Sequence, residues 1–442
     1  HVLLVERHDL PIVAVQAVTR RGGDDAPVTR AGLASLVGVL LETGTTSRSS
    51  MEVSDAYAAL GAEHATWMSW DSGGASVKVL APNLEPALGV MADVVLHPAF
   101  APDEIDRARA RRLAALQQEV DSPRTLAANL AVRTVYGETH PYGRSLTGTE
   151  ETVRAITRDD ILRFYQSHFV PADCALVVVG DVTRATVTPM LQHAFGDWHA
   201  RAAAPRPPAR PAPFRPGARI FLTDRPHAPQ SAVLLAHAGV PRTSRDYAPL
   251  VVMNSILGGM FSSRINLNLR EAHAYTYGAG SSFTFRHGAG PFTVGGAIVT
   301  ANTADAVHEI LVEMARMRGE DVTPDELAAA RARITESLPA RFETTDQTAA
   351  AMSELYTYEL PLDEFATITA RINAVTQADV RRVAGQYLDP DHARIIVVGD
   401  RETVEPALRR LGLGDVEARD VHGNAPPAAS PAPSAPTPSP AR

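Results

Sequence analysis

The sequence predicts an α+β protein made of two homologous halves, each with helices packed on a mainly antiparallel β-sheet. Three observations carry this. A stretch recurs: ETVRAITRDDILRFYQSHFVPADCALVVVGD at 151–181 pairs without gaps with ARINAVTQADVRRVAGQYLDPDHARIIVVGD at 370–400. Thr157 pairs with Thr376, Asp160 with Asp379, Arg163 with Arg382, Pro171 with Pro390, Gly180 with Gly399 and Asp181 with Asp400, all at one offset (376 − 157 = 219). Helix and strand patterns mix without strict alternation, and hairpin signals recur, as in α+β proteins. Finally, 45% of the 442 residues are apolar, enough for a large core.

The elements follow in order. Residues 10–19 alternate as a strand, and 31–41 form an apolar helix. Residues 63–80 read as a hairpin around Asp71-Ser72-Gly73-Gly74. Helices follow over 84–96 and 102–120, the second arginine-rich on its exposed side. In each copy of the repeat a Thr and an acidic residue three positions on cap a helix, and a Pro follows its end. The strand after it, LVVVGD or IIVVGD, is apolar on both faces and so reads as central and buried. In the second half 231–238 is a strand and 247–257 a helix, while 275–285 and 292–300 are paired strands. Gly258-Gly259 breaks that helix, and Ser262 or Ser263 caps the next.

Two composition breaks divide the chain. AAAPRPPARPAPFRPG at 202–217 holds too many prolines for a helix or a central strand and reads as an extended linker. Residues 422–442 are Pro/Ala/Ser-rich, with too few large apolar residues to offset ordering entropy, and are expected to be disordered. That leaves an N-terminal half at 1–201 and a C-terminal half at 218–421.

A net charge of −8 argues against nucleic acid as a partner. No apolar run is long enough to span a membrane; 248–261 is short and interrupted. Cys174 stands alone, excluding an intrachain disulfide, and its apolar setting reads as a buried small hydrophobe. Lys78 is the sole lysine; the arginine, alanine and proline bias is associated with GC-rich bacterial genomes. The chain starts at His1, so a removed secretory signal and a periplasmic or secreted location are expected.

The most informative stretch is ILGGMFSSRINLNLREAHAYTYG at 256–278. It resembles the GG-x-x-SRL-x-x-x-[IL]RE-x-x-x-x-x-Y segment of the pitrilysin/insulinase family of zinc peptidases, which includes mitochondrial processing peptidase. Aligned on Gly259, Ser263-Arg264 and Arg270-Glu271, the family tyrosine falls on Tyr277. The resemblance implies that Arg270 and Tyr277 reach across a cleft and bind the scissile carbonyl oxygen. A phenol and a guanidinium suit the charge that develops there. Alone, such residues read as a surface helix arginine and a core strand tyrosine; the surrounding motif gives them the other role. Tyr275 is the decoy, placed by this reading on the same strand face.

The family's inverted zinc motif, His-x-x-Glu-His, is absent. Its frame survives in Gly32, Ala34, Gly44 and Thr45, but Ser35 and Val39 stand at the histidines and Gly38 at the catalytic glutamate. Alignment on Asp121-Ser122-Pro123 puts Ala115 at the third ligand, with Glu119 the nearest acid. No metal site is expected in this chain. His308-Glu309 lacks a second histidine, since Val312 holds that place, and reads as a solvated helix face. His140-Pro141-Tyr142-Gly143 matches a family loop and reads as structural, and His64 and His168 have no partner at ligand spacing. There is no G-x-S-x-G elbow for a serine nucleophile, and Cys174 lies in a strand. The resemblance covers about residues 1–421. It implies a non-zinc subunit, inactive alone, that pairs with a zinc-bearing homologue carrying His-x-x-Glu-His and acts on peptide substrates. A catalytically inert structural or peptide-binding scaffold, as in the respiratory-complex core proteins, is the rival.

Overall fold

The computed structural model describes residues 1–198, 206, 210–213 and 219–426. Most of the proline-rich linker, and the tail beyond Pro426, lie outside the described residues.

The first sheet contains β1 (Val2–Glu6), β2 (Ile12–Thr19), β3 (Glu63–Met68), β4 (Gly73–Leu80) and β5 (Cys174–Gly180), in the order β1-β5-β2-β4-β3. The second contains β6 (Ile220–Asp224), β7 (Gln230–Ala238), β8 (Ala279–Phe283), β9 (Pro291–Val299), β10 (Arg394–Gly399) and β11 (Val416–Arg419), in the order β11-β6-β10-β7-β9-β8. Five strands of the second sheet repeat the first, and β11 is added at one edge. β5 lies between parallel β1 and antiparallel β2; β10 lies between parallel β6 and antiparallel β7. Each sheet is thus mixed, with its parallel pairs toward one edge. Both repeat strands are buried along their whole length, as their two-faced apolar pattern requires.

The repeat's cap signals are realised. Thr157 and Thr376 each accept a hydrogen bond from the backbone N–H three residues on. Asp160 and Asp379 return bonds to the threonine N–H, completing capping boxes. The helices so started, Arg158–His168 and Gln377–Tyr387, bury one apolar side each: Ile161 and Phe164 in the first, Val380, Val383 and Ala384 in the second.

Three expectations change. The helix begun at Tyr247 is α-helical only to Asn254, and Ser255–Gly259 winds as a π-turn. Gly258 allows this, because a Cβ there would lie 2.4 Å from the Ser281 nitrogen of β8. The strand expected from residue 275 begins only at Ala279. Thr276 bends the chain before it: its hydroxyl donates to the carbonyls of Ala297 (2.7 Å) and Gly278 (3.0 Å). Tyr275 and Tyr277 therefore do not share a strand face.

The third change concerns which helices cover which sheet. One face of each sheet packs on helices near it in sequence. The other face is covered by a helix from the opposite half. Helix Pro123–Tyr136 lays Leu126, Ala127, Leu130 and Ala131 on Phe221, Ala236, Ile396 and Val398 of the second sheet. Helix Thr345–Thr357 lays Ala349, Met352 and Tyr356 on Ala14, Val18, Val177 and Val179 of the first. Ser353 Oγ adds a 2.6 Å bond to Gln16 Oε1. The exchange stabilises the junction substantially, since each large side chain so buried contributes roughly 1.5–3 kcal/mol. Arg133 on the first of these helices also donates to the carbonyl of His422 (2.5 Å) and to Asn424 Oδ1 (2.9 Å), so the opening residues of the 422–442 segment are held against the body.

Candidate functional site

Helix Leu33–Leu40 carries the positions of the absent zinc motif. The Ser35 hydroxyl is turned back on its own helix, donating to the Gly32 carbonyl at 3.1 Å. Gly38 is buried against the end of β3, where a Cβ would lie 2.7 Å from the Met68 nitrogen and 2.9 Å from the Trp67 carbonyl carbon. Any side chain at that position would collide with backbone. Val39 is partly exposed but offers only carbon, and Ala115 on helix Pro102–Glu119 is exposed and likewise without a donor. These residues do not fit a zinc ion, which takes nitrogen, sulfur or carboxylate ligands.

The other histidines and the cysteine have structural work. His64 stacks on Tyr57 and lies 3.3 Å from Glu42. His140 accepts from the Tyr142 N–H (3.0 Å) and contacts the Arg210 carbonyl (3.1 Å), and burial lowers its pKa. Burial likewise takes His168 down to about 4 and pushes the Cys174 thiol up to about 12, far from a reactive thiolate.

Arg270 lies on a second π-turn, Leu267–Ala272, and Tyr277 in the irregular segment before β8. Asn268 anchors the π-turn, its amide donating to Glu309 (2.9 Å) and Glu313 (3.0 Å) of helix Thr303–Gly319. Glu309 is thus a structural acceptor, while His308 beside it is exposed. Beyond the turn Ala274 takes φ +54, a left-handed conformation that reverses the chain. Tyr275 then packs on the second core and stacks on His273. Tyr277 points the other way, 91% exposed, and among the described residues its hydroxyl has no hydrogen-bond partner. The Arg270 guanidinium stacks over Phe261 with its carbon 4.5 Å from the ring centroid; the nearest carboxylate, on Glu271, is 3.6 Å away. Among the described residues no hydrogen bond or cation–π contact joins Arg270 to Tyr277. Tyr277 stands on the surface, and the Arg270 side chain is about one-third exposed.

A buried polar cluster at the junction of the halves was invisible in the sequence. Asp24, Asp71 and His287 bring ligand-type atoms within 4.8 Å of one another, the one such group among the described residues. His287 Nδ1 lies 3.0 Å from Asp71 Oδ1, and its Nε2 meets the Thr357 carbonyl at 2.7 Å. Tyr358 donates to Asp71 Oδ2 at 3.0 Å. Arg206 of the linker lies 3.5 Å from Asp24, and Arg286 stacks on Trp70 and Tyr142. Burial opposes the His287 charge, but the hydrogen bonds that the imidazole donates to Asp24 and Asp71 outweigh it and raise the pKa to about 9. Burial raises the Asp24 pKa, whereas Asp71 is lowered, against the pull of burial, by its bonds to His287. We take Asp71–His287 as the ion pair, because Asp71 also accepts from the Tyr358 hydroxyl and the His287 N–H. With the His287 cation and two arginines beside them, the carboxylates of the cluster are already offset by positive charge. No spacing signal could have found it, since its members come from residues 24, 71, 206, 286, 287 and 358.

Comparison with known proteins supplies the family. Residues 1–150 match the family described as Insulinase (Peptidase family M16), and residues 155–334 that described as Peptidase M16 inactive domain. An uncharacterized zinc protease of Mycobacterium leprae is 26% identical over 393 residues, covering 88% of this chain and 87% of that one. The crystal structure of a peptidase M16 inactive domain from Pseudomonas fluorescens superposes with a TM-score of 0.83 at 24% identity, covering 90% of this chain and 95% of that one. The periplasmic protease PqqL from Escherichia coli superposes with a TM-score of 0.74 at 17% identity, covering 89% of this chain but 43% of its own length. Among the described residues no helix is long and apolar enough to cross a membrane. This chain belongs to the insulinase family of peptidases, family M16.

Proposed function

We propose that this chain is the non-zinc subunit of a heterodimeric metallopeptidase, lending Arg270 and Tyr277 in trans to a homologous subunit that carries His-x-x-Glu-His. The observation that carries the reading is a contrast within one molecule. The helix that should hold metal has closed over Gly38, while Tyr277 remains exposed and Arg270 partly exposed, its contacts being the Phe261 ring and Glu271 at 3.6 Å. A scaffold has no need of an exposed phenol and guanidinium in that motif. The partner would supply the metal and the water-activating glutamate. From this chain, the Tyr277 hydroxyl donates to the peptide carbonyl oxygen as charge develops there, and the Arg270 guanidinium holds peptide carbonyls. The division into halves at 1–201 and 218–421, joined by the 202–217 linker, is part of the same proposal. So is a periplasmic or secreted bacterial setting, supported by the bacterial relatives and by the periplasmic protease of like fold.

Peptide hydrolysis by the reconstituted pair tests it, with assembly followed by gel filtration. Tyr277→Phe should assemble normally and lose roughly a hundred- to a thousand-fold in rate, by analogy with single oxyanion-hole donors at about 2.7–4 kcal/mol. Arg270→Ala should weaken both substrate hold and turnover. Tyr275→Phe, packed on the core, is the control and should be nearly silent. Wild-type turnover by an assembled Tyr277→Phe pair would leave the scaffold role in its place.

A further inference from the structure

An arginine that must hold a peptide carbonyl needs a fixed orientation, yet its side chain has many rotamers to lose. Arg270 has no carboxylate at bidentate distance to hold it, since Glu271 stays 3.6 Å away. It has instead the ring of Phe261, 4.5 Å below the guanidinium carbon. A carboxylate would occupy the N–H edge; a ring occupies only the face and leaves the in-plane donors free. Phe261 is 68% exposed, so it fills no core and has no packing role that would explain a large aromatic there. Its backbone is nonetheless held. Asn266, buried on the same helical run as Arg270, donates from Nδ2 to the Phe261 carbonyl at 2.7 Å. Asn266 Oδ1 accepts from the Ala279 N–H at 3.2 Å, where the segment bearing Tyr277 enters β8. One buried amide therefore ties the platform, the arginine and the tyrosine segment together.

We propose that Phe261 is a positioning residue: its ring fixes the plane of the Arg270 guanidinium so that a peptide carbonyl meets a pre-oriented donor edge. This rests on the proposed role of Arg270, and two readouts separate the two ideas. The first needs no substrate. In the free chain, NMR should show ring-current-shifted Arg270 side-chain protons, lost in Phe261→Leu and retained in Phe261→Trp. An unshifted Arg270 in the wild type overturns the proposal. The second is kinetic, on the reconstituted pair. Phe261→Leu keeps an apolar side chain but removes the π-face, and should lower kcat/KM by about two- to five-fold, the scale of an exposed cation–π contact. Phe261→Trp should restore it. In an Arg270→Ala background Phe261→Leu should have no further effect, because the ring acts through the arginine. If the two losses multiply independently, Phe261 acts by another route and the proposal fails. If Arg270→Ala is itself silent while the ring-current shift persists, the stacking stands, but the trans-site reading falls and takes the positioning role with it.

Discussion

At Gly38, where the family resemblance expects a glutamate, helix Leu33–Leu40 sits with its backbone against Met68, and no space is left for a side chain. Gly38→Ala should therefore destabilise. The gain in helix propensity is about 1 kcal/mol, but overpacking against backbone costs about 1–3 kcal/mol, so thermal unfolding should show a lower Tm. For the same reason the purified chain should hold no stoichiometric zinc after dialysis and cleave no peptide. One tightly held zinc with chelator-sensitive cleavage would contradict this. At the junction, His287 makes a pH-dependent contribution. Its folded pKa, about 9, lies above the ordinary value of 6.5. The stabilisation is therefore fully present below about pH 6.5 and is lost as pH rises through 9. Asp71→Asn removes the ion-pair partner, so urea unfolding should show a larger loss at pH 6 than at pH 10, where His287 is neutral in either protein. Equal losses at both pH values would mean that His287 does not carry the charge.

At the scale of elements, the two exchanged helices matter most. Helix Pro123–Tyr136 precedes the first copy of the repeat, yet its apolar face serves the second sheet through Leu126 and Leu130. Leu130→Ala should cost about 2–5 kcal/mol, as large-to-small changes in cores do. Hydrogen exchange should place part of that loss in β7 and β10, where the side chain packs, rather than only in the first half. Protection lost solely in residues 1–198 would argue against the exchange. The two π-turns are a second element-level feature. Gly258 lets the first press on β8, and Asn268 ties the second to helix Thr303–Gly319. Between them they set where Phe261 and Arg270 stand.

For the whole molecule, the exchange makes the halves interdependent. Each sheet has one face covered from within its own half and the other from across the junction. A fragment of residues 1–201 would expose the Leu126 and Leu130 face and uncover Val177 and Val179 of β5. Neither it nor a fragment from 218 onward should unfold cooperatively alone, and mixing them should restore a cooperative transition. Cooperative melting of the first fragment within a few degrees of the full chain would show that the exchanged helices add little. The buried cluster of Asp71 and His287 joins the halves at the same seam.

The sequence by itself determined the repeat, the capping boxes at Thr157 and Thr376 and the buried strands β5 and β10, and through the family resemblance it marked Ser35, Gly38, Val39 and Ala115 as positions where metal-site residues would be expected. These are local or periodic properties, written in neighbouring residues. It also marked Arg270 and Tyr277, through a motif rather than through any physical signal of their own. It started the strand β8 too early, at residue 275 rather than 279, because periodicity sees the alternation of apolar residues but not the Thr276 hydroxyl that bends the chain toward Ala297. Tertiary structure alone decided which helix covers which sheet. An apolar face on β10 states that it must be covered, and many helices could have matched Ile396 and Val398; the hydrophobic effect is non-directional and names no partner. The same holds for Asp24, Asp71 and His287, brought together by folding from distant segments, and for Phe261 beneath Arg270. Contacts of that kind depend on the path of the whole chain, which no local pattern encodes.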